Sequence, residues 1–119
     1  MDEHAFFERL QATHVAAWNE KDTDKRMALL AEIYAADVTM YDKDNIFYGL
    51  QSVSDFIGKL LDEDPAFVFS IVKPLEPLQN SARLFGSIQT SAVLLQSMDF
   101  FLIKGGKVQH LYAFLEPAM

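Results

Sequence analysis

The stretch Gln96-Ser-Met-Asp-Phe-Phe-Leu-Ile-Lys-Gly-Gly-Lys-Val-Gln-His-Leu-Tyr-Ala-Phe-Leu-Glu116 decides the fold. It reads as one long β-hairpin. Two runs rich in Phe, Leu, Ile, Val and Tyr are joined by Lys104-Gly105-Gly106-Lys107, where glycine supplies the positive φ of a tight turn. Both runs are apolar at odd and even positions alike, so both faces of the sheet need a cover. Asp99 breaks the pattern. A carboxylate inside such a strand is costly unless it is paired, hydrogen-bonded or neutralised.

The turn allows two registers with different facings. A two-residue turn pairs Ile103 with Val108 and sets Asp99 opposite Tyr112. A three-residue turn with a glycine bulge pairs Ile103 with Lys107 and sets Asp99 opposite Leu111. A type I turn through Lys104-Gly105 with Gly106 left-handed suits these residues, so the second register is expected. It points Asp99, Phe101, Leu111, Ala113 and Leu115 into a pocket. Met98, Phe100, Leu102, Val108, His110, Tyr112 and Phe114 then form the back of the sheet. A face that apolar calls for a partner, most simply a second copy of the chain in a two-fold homodimer. His110 then belongs to that interface rather than to a ligand site.

Outward from the hairpin, the rest of the chain alternates between two periods. Residues from about Glu3 to Asn19 form a helix whose stripe is Phe7, Leu10, His14, Ala17 and Trp18. His14 reads either as a satisfied core-edge residue or as a polar group pointing into a pocket. Asp22 or Thr23 caps a second helix over about Asp24–Ala35, with Met27, Leu30, Ile33 and Tyr34 inward. Val38–Asp42 and Ile46–Tyr48 are short strands about a polar turn. Asp42 reads either as the cap of that turn or as a functional carboxylate. Ser52, with Asp55 three residues on, caps a third helix to about Asp62, which carries Phe56 inward. Phe67–Lys73 and Ala82–Thr90 are strands, with Pro74 and Pro77 bracketing a break at a sheet edge.

The layout is α+β: a curved, mostly antiparallel sheet wrapped around three N-terminal helices, in a single domain over residues 1–119. Half of the 119 residues are hydrophobic and ten are Phe, which excludes disorder. A net charge of −7 argues against nucleic acid and anionic membranes as partners. With no cysteine, thiol chemistry and disulfides are excluded. No run approaches the roughly 20 apolar residues of a membrane span, and the acidic start lacks a signal pattern, so a cytoplasmic location is expected. The histidines are scattered, so no metal site is expected, and no glycine loop suggests a phosphate-bearing cofactor.

The stretches Ala17–Asp22, Leu30–Asp42, Gly49 and Met98–Pro117 resemble the nuclear-transport-factor-2-like superfamily, which includes SnoaL-like polyketide cyclases, ketosteroid isomerase and limonene epoxide hydrolase. The resemblance covers nearly the whole chain and implies a cystatin-like cone with an apolar pocket for a small molecule. It also agrees with the bulged hairpin register. The isomerase branch uses a tyrosine on the first helix, an aspartate base after the first strand and a protonated aspartate on a late strand. Carried over, these positions fall on His14, Asp42 and Asp99, with Tyr34 matching a further family tyrosine. Trp18, Tyr34, Phe56, Phe101, Leu111, Ala113 and Leu115 would line the pocket, with no cofactor. An imidazole stands where the family has a phenol, the loop after Asp42 is about two residues shorter, and Ile57 replaces a third-helix tyrosine. The steroid-isomerase donor set is therefore incomplete. Three functions follow from the resemblance: proton abstraction beside a carbonyl, water activation by a His14–Asp99 pair, or non-catalytic ligand binding or dimerisation.

Overall fold

A computed structural model of the chain describes residues 3–118. The elements in order are α1 (Glu3–Trp18), α2 (Thr23–Ile33), β1 (Tyr34–Tyr41), β2 (Ile46–Tyr48), α3 (Leu50–Glu63), β3 (Val68–Ile71), β4 (Glu76–Leu78), β5 (Ser81–Gln89), β6 (Leu94–Lys104) and β7 (Lys107–Pro117). The strands form one 7-stranded sheet in the order β2-β1-β7-β6-β5-β3, with β4 also paired to β5. All pairings are antiparallel except β1 with β7. The helices fill the concave side. Leu10, Leu30, Ile33, Val53 and Ile57 from the helices meet Val38, Met40, Leu84, Phe101, Val108 and Leu111 from the sheet, all fully buried. Each such side chain contributes roughly 1.5–3 kcal/mol through removal from water.

The hairpin starts in the two-residue register but beyond its turn follows neither expected register, so Asp99 lies opposite Ala113 rather than Leu111 or Tyr112. Gly105 and Gly106 have φ of 62° and 75°, so the turn is the two-residue type with both centres left-handed. Ile103 accordingly pairs with Val108. The register then shifts between Leu102 and Ile103, because Gln109 is an extra residue on β7. Beyond the bulge Asp99 pairs with Ala113, Phe101 with Leu111 and Leu102 with His110. Asp99, Phe101, Leu111 and Ala113 therefore face the helices. Val108 leaves the back of the sheet, where the sequence had placed it, and is buried in the core.

Other boundaries moved for local reasons. α2 stops at Ile33 rather than Ala35, since Tyr34 already has extended φ/ψ of −104°/144° and donates its N–H to the Leu30 carbonyl. Asp22 is its N-cap, accepting from the Lys25 N–H. α3 begins at Leu50, before Ser52, because Gly49 with φ 87° turns the chain directly into the helix. Asp55 is engaged by Gln51 Nε2 instead of completing a capping box. Five strands follow α3 rather than four: the expected break at Pro77 is the short edge strand β4. On α1, Phe6 is buried and Phe7 only half so.

Arg26, which the sequence reading did not single out, is buried between α2 and α3. Its Nε donates to Ser54 Oγ at 3.0 Å and Nη1 to the Glu20 carbonyl at 2.8 Å. A Cβ on Gly58 would lie 2.6 Å from Arg26 Nη2, so the glycine makes room for the guanidinium.

Candidate functional site

Four side chains from three elements form a buried relay. α1 supplies His14 and Trp18 one turn apart, the start of β1 supplies Tyr34, and β6 supplies Asp99. Trp18 Nε1 donates to the Tyr34 hydroxyl oxygen at 3.1 Å. The Tyr34 hydroxyl lies 2.6 Å from His14 Nδ1, and His14 Nε2 lies 2.9 Å from Asp99 Oδ2. His14 and Tyr34 are inaccessible to solvent or nearly so, and Asp99 is 8% exposed. The rings of Phe69 and Phe101 stand edge-on to the imidazole at 5.6 and 5.0 Å.

The donors and acceptors fix the direction of the relay. Burial, reinforced by the Asp99 charge and opposed by the Trp18 hydrogen bond, holds the Tyr34 phenol well above its usual pKa. The phenol therefore keeps its proton and needs an acceptor. The indole N–H is a donor only, so the acceptor is His14 Nδ1. With Nδ1 as that acceptor, the imidazole proton is on Nε2, from which it can be donated to Asp99 Oδ2.

Asp99 reaches the wall of a cavity of about 220 Å³ in the wide end of the cone. Trp18, Phe56, Phe67 and Phe69 form its aromatic wall. Met40, Leu60, Ile88, Leu95, Ala113 and Leu115 form its aliphatic wall. The remaining wall residues are polar or acidic: Ser97, Thr90, Asp42, Glu63, Asp64 and Asp99. Gly86 on β5 shapes this end: a Cβ there would lie 2.2 Å from Phe69 Cε1 and 2.9 Å from Ser97 Oγ. A wider cleft, about 1050 Å³ and open to solvent, lies beside α1 against Pro74, Leu75 and Asn80, away from the relay.

The candidate residues separate into two groups. Trp18, Asp42, Phe56, Asp99, Ala113 and Leu115 lie on the cavity wall. His14, Tyr34, Phe101 and Leu111 do not: they are fully buried in the core, off that wall. His14 thus acts on the cavity only through Asp99. Asp42 caps its turn and also lies on the cavity wall. Its Oδ1 accepts from the backbone N–H groups of Asp44 and Asn45 at 2.9 and 2.7 Å.

Among the wall residues that the sequence did not signal are Glu63, Asp64 and Ser97. Glu63 and Asp64 end α3 at the cavity mouth. Asp64 is held below the usual carboxylate pKa, chiefly by the Ser91 backbone N–H. Ser97 lies two residues from Asp99 on the same face of β6. Its Oγ is the one buried side-chain polar atom without a hydrogen-bond partner among the described residues. An unmet hydroxyl costs about 1–3 kcal/mol. Among the described residues no group of three or more His, Asp or Glu is placed to hold a metal ion.

The fold is similar to that of solved proteins described as NTF2-like and as having a cystatin-like fold. The chain is similar to a candidate isomerase of the SnoaL-like family from Agrobacterium tumefaciens str. C58, with a TM-score of 0.83 and 19% identity over 94% of this chain and 98% of that one. It is similar also to a protein of ketosteroid-isomerase-like fold from Catenulispora acidiphila, crystallised with trimethylamine. There the TM-score is 0.73 at 12% identity, over 87% of this chain and 82% of that one. A de novo designed protein with a curved sheet matches as well, with a TM-score of 0.76 and 13% identity over 98% of this chain and 89% of that one. A shared fold of this kind does not fix an activity. No protein-family model and no curated protein matches the sequence.

Proposed function

We propose that the protein binds a small, mostly apolar molecule in the 220 Å³ cavity and that Asp99, positioned by His14, accepts a proton from it. The supporting observation is the chain of hydrogen bonds from Trp18 through Tyr34 and His14 to Asp99, which ends on the cavity wall. Apolar packing would stabilise this region at least as well as a buried charge and its partners. A carboxylate held at the edge of an apolar cavity is the arrangement that general-base chemistry requires. Proton abstraction beside a carbonyl, the step of isomerases and cyclases, is the reaction it fits. Asp42 is a second carboxylate on the same wall, with Oδ1 committed to its turn. Because Asp99 is the acceptor for His14, the acid-donor role implied by the resemblance passes from it to other groups. The cavity is smaller than the roughly 300–1,000 Å³ typical for drug-sized ligands, so the substrate is smaller than a steroid.

The test is hydrogen–deuterium exchange at the α-carbons of cyclohexanone and 2-cyclohexenone in D₂O, followed by NMR. The wild type should accelerate exchange, and Asp99→Asn should lose about 10²–10⁴-fold of that. Absence of acceleration by the wild type sinks the proton-transfer reading. It leaves non-catalytic binding, which the full satisfaction of both His14 nitrogens favours. Water activation by Asp99, as in epoxide opening, is the variant for a ligand without an acidic C–H, and styrene oxide hydrolysis checks it.

The same reading includes a homodimer through the outer sheet face. Phe114 and Tyr48 are 57% and 72% exposed there, beside the half-buried Met98, Phe100 and Tyr112. Light scattering should give a dimer for the wild type and a monomer for Phe114→Glu. A monomeric wild type at high micromolar concentration rules the dimer out.

A further inference from the structure

The cavity's charge and its unmet hydroxyl define the ligand more closely, if the cavity is the binding site proposed above. We infer that the ligand carries one basic nitrogen and is bound as an ammonium ion, with its N–H donated to Ser97 Oγ and its charge facing Asp99.

Three observations converge. Ser97 is 6% exposed, sits on the cavity wall and has an Oγ with no hydrogen-bond partner among the described residues. Buried hydroxyls are nearly always partnered, so this one marks where a ligand's polar group belongs. The wall residues include four acids, Asp42, Glu63, Asp64 and Asp99, and, among the described residues, no lysine, arginine or histidine. An anionic ligand would meet only like charge there, while a cation is favoured along the whole path from mouth to base. The deep end is also aromatic: Trp18 and Phe69 both flank His14, the partner of Asp99. Aromatic faces attract ammonium groups, tryptophan most strongly. A carboxylate, a hydroxyl acceptor and two rings at one end of an apolar chamber fit a compact amine. A carboxylic acid is excluded by charge, and a neutral alcohol leaves the carboxylates without a counter-charge.

Trp18 is the single tryptophan of the chain and lies on the wall, so its fluorescence reports directly on occupancy. The full chain is titrated at pH 7 with three probes of one size: benzylamine, benzyl alcohol and benzoate. Benzylamine should saturate the Trp18 signal, with benzyl alcohol about tenfold weaker and benzoate not saturating. Ser97→Ala, which removes only the unmet oxygen, should weaken benzylamine by about tenfold while leaving circular dichroism unchanged. If benzyl alcohol or benzoate binds as tightly as benzylamine, the cavity remains the site and the ammonium inference is overturned. If no probe saturates the signal, the cavity reading falls with it. If Ser97→Ala binds benzylamine like the wild type, the assigned hydroxyl contact is wrong.

Discussion

The two faces of the β6–β7 hairpin present similar side chains to different surroundings. On the inner face, Asp99 meets His14, and His14 meets Tyr34, all out of water. On the outer face, His110 Nδ1 lies 3.0 Å from the Tyr41 hydroxyl, and the Tyr41 and Tyr112 rings stack at 4.4 Å. The Tyr41 phenol too is raised above its ordinary pKa, by burial first and then by Tyr112. The outer cluster, however, is only half-buried. A histidine and a tyrosine that keep contact with water can exchange partners at little cost, whereas the inner pair cannot. The inner relay therefore has one direction, and disturbing any member leaves a buried neighbour unmet.

The sharpest way to break this contrast is to replace each histidine by leucine. His14→Leu strands both the Asp99 carboxylate and the Tyr34 hydroxyl and should cost about 3–5 kcal/mol in urea unfolding. His110→Leu should cost less than about 1 kcal/mol in the monomer. Equal losses would mean that the two faces do not differ in the way described. Next in size is Gly86→Ala, which drives a methyl into Phe69 and Ser97 behind the cavity. It should destabilise by about 1–3 kcal/mol through overpacking, and a neutral result would show that the Phe69 ring has room to move. Tyr41→Phe, which removes the outer hydroxyl, should cost about 0.5–1.5 kcal/mol. Ser97→Ala should stabilise the ligand-free protein, by up to about 1–3 kcal/mol, since it removes a buried hydroxyl that has no partner; a loss of stability would show that it has one.

A pH series separates the faces again. The folded pKa of Tyr34 is raised above the ordinary 10.0. Its contribution is then fully present below that value. It declines above it, because the unfolded chain ionises first. Wild type should lose stability above about pH 10 more steeply than Tyr34→Phe. Parallel declines would place the alkaline sensitivity elsewhere.

Much of the fold was legible because it rests on periodicity. Alternation in β6 fixes Asp99 on the face of Phe101, and the helical stripe of α1 puts His14 one turn from Trp18. The hairpin turn was less legible. Local preference argued for a three-residue turn, but Val108 is drawn into the core, where it pairs with Tyr34 on the parallel strand β1. The bulge at Gln109 then restores the facing of Asp99. Arg26 was missed because its sequence neighbours are polar. The available signal was Ser54 and Gly58, two small residues one turn apart on α3 that leave space for a guanidinium. The acidic mouth was missed because Asp64 reads as a helix stop, and only the sheet's curvature brings it and Glu63 to the cavity. Tyr34, Phe101 and Leu111 were expected on the pocket wall; chain alternation gives their face but not how far α1 fills the cone. The same holds for His14, whose distance from the wall depends on that packing.

The most direct test is the tautomer of His14, read from two-bond ¹⁵N–¹H correlations on ¹⁵N-histidine-labelled protein at pH 7. The relay requires the proton on Nε2, facing Asp99, with Nδ1 showing the shift of an unprotonated nitrogen that accepts the Tyr34 hydroxyl. A proton on Nδ1 would reverse the chain, make Asp99 the donor and contradict its assignment as the proton acceptor of the cavity.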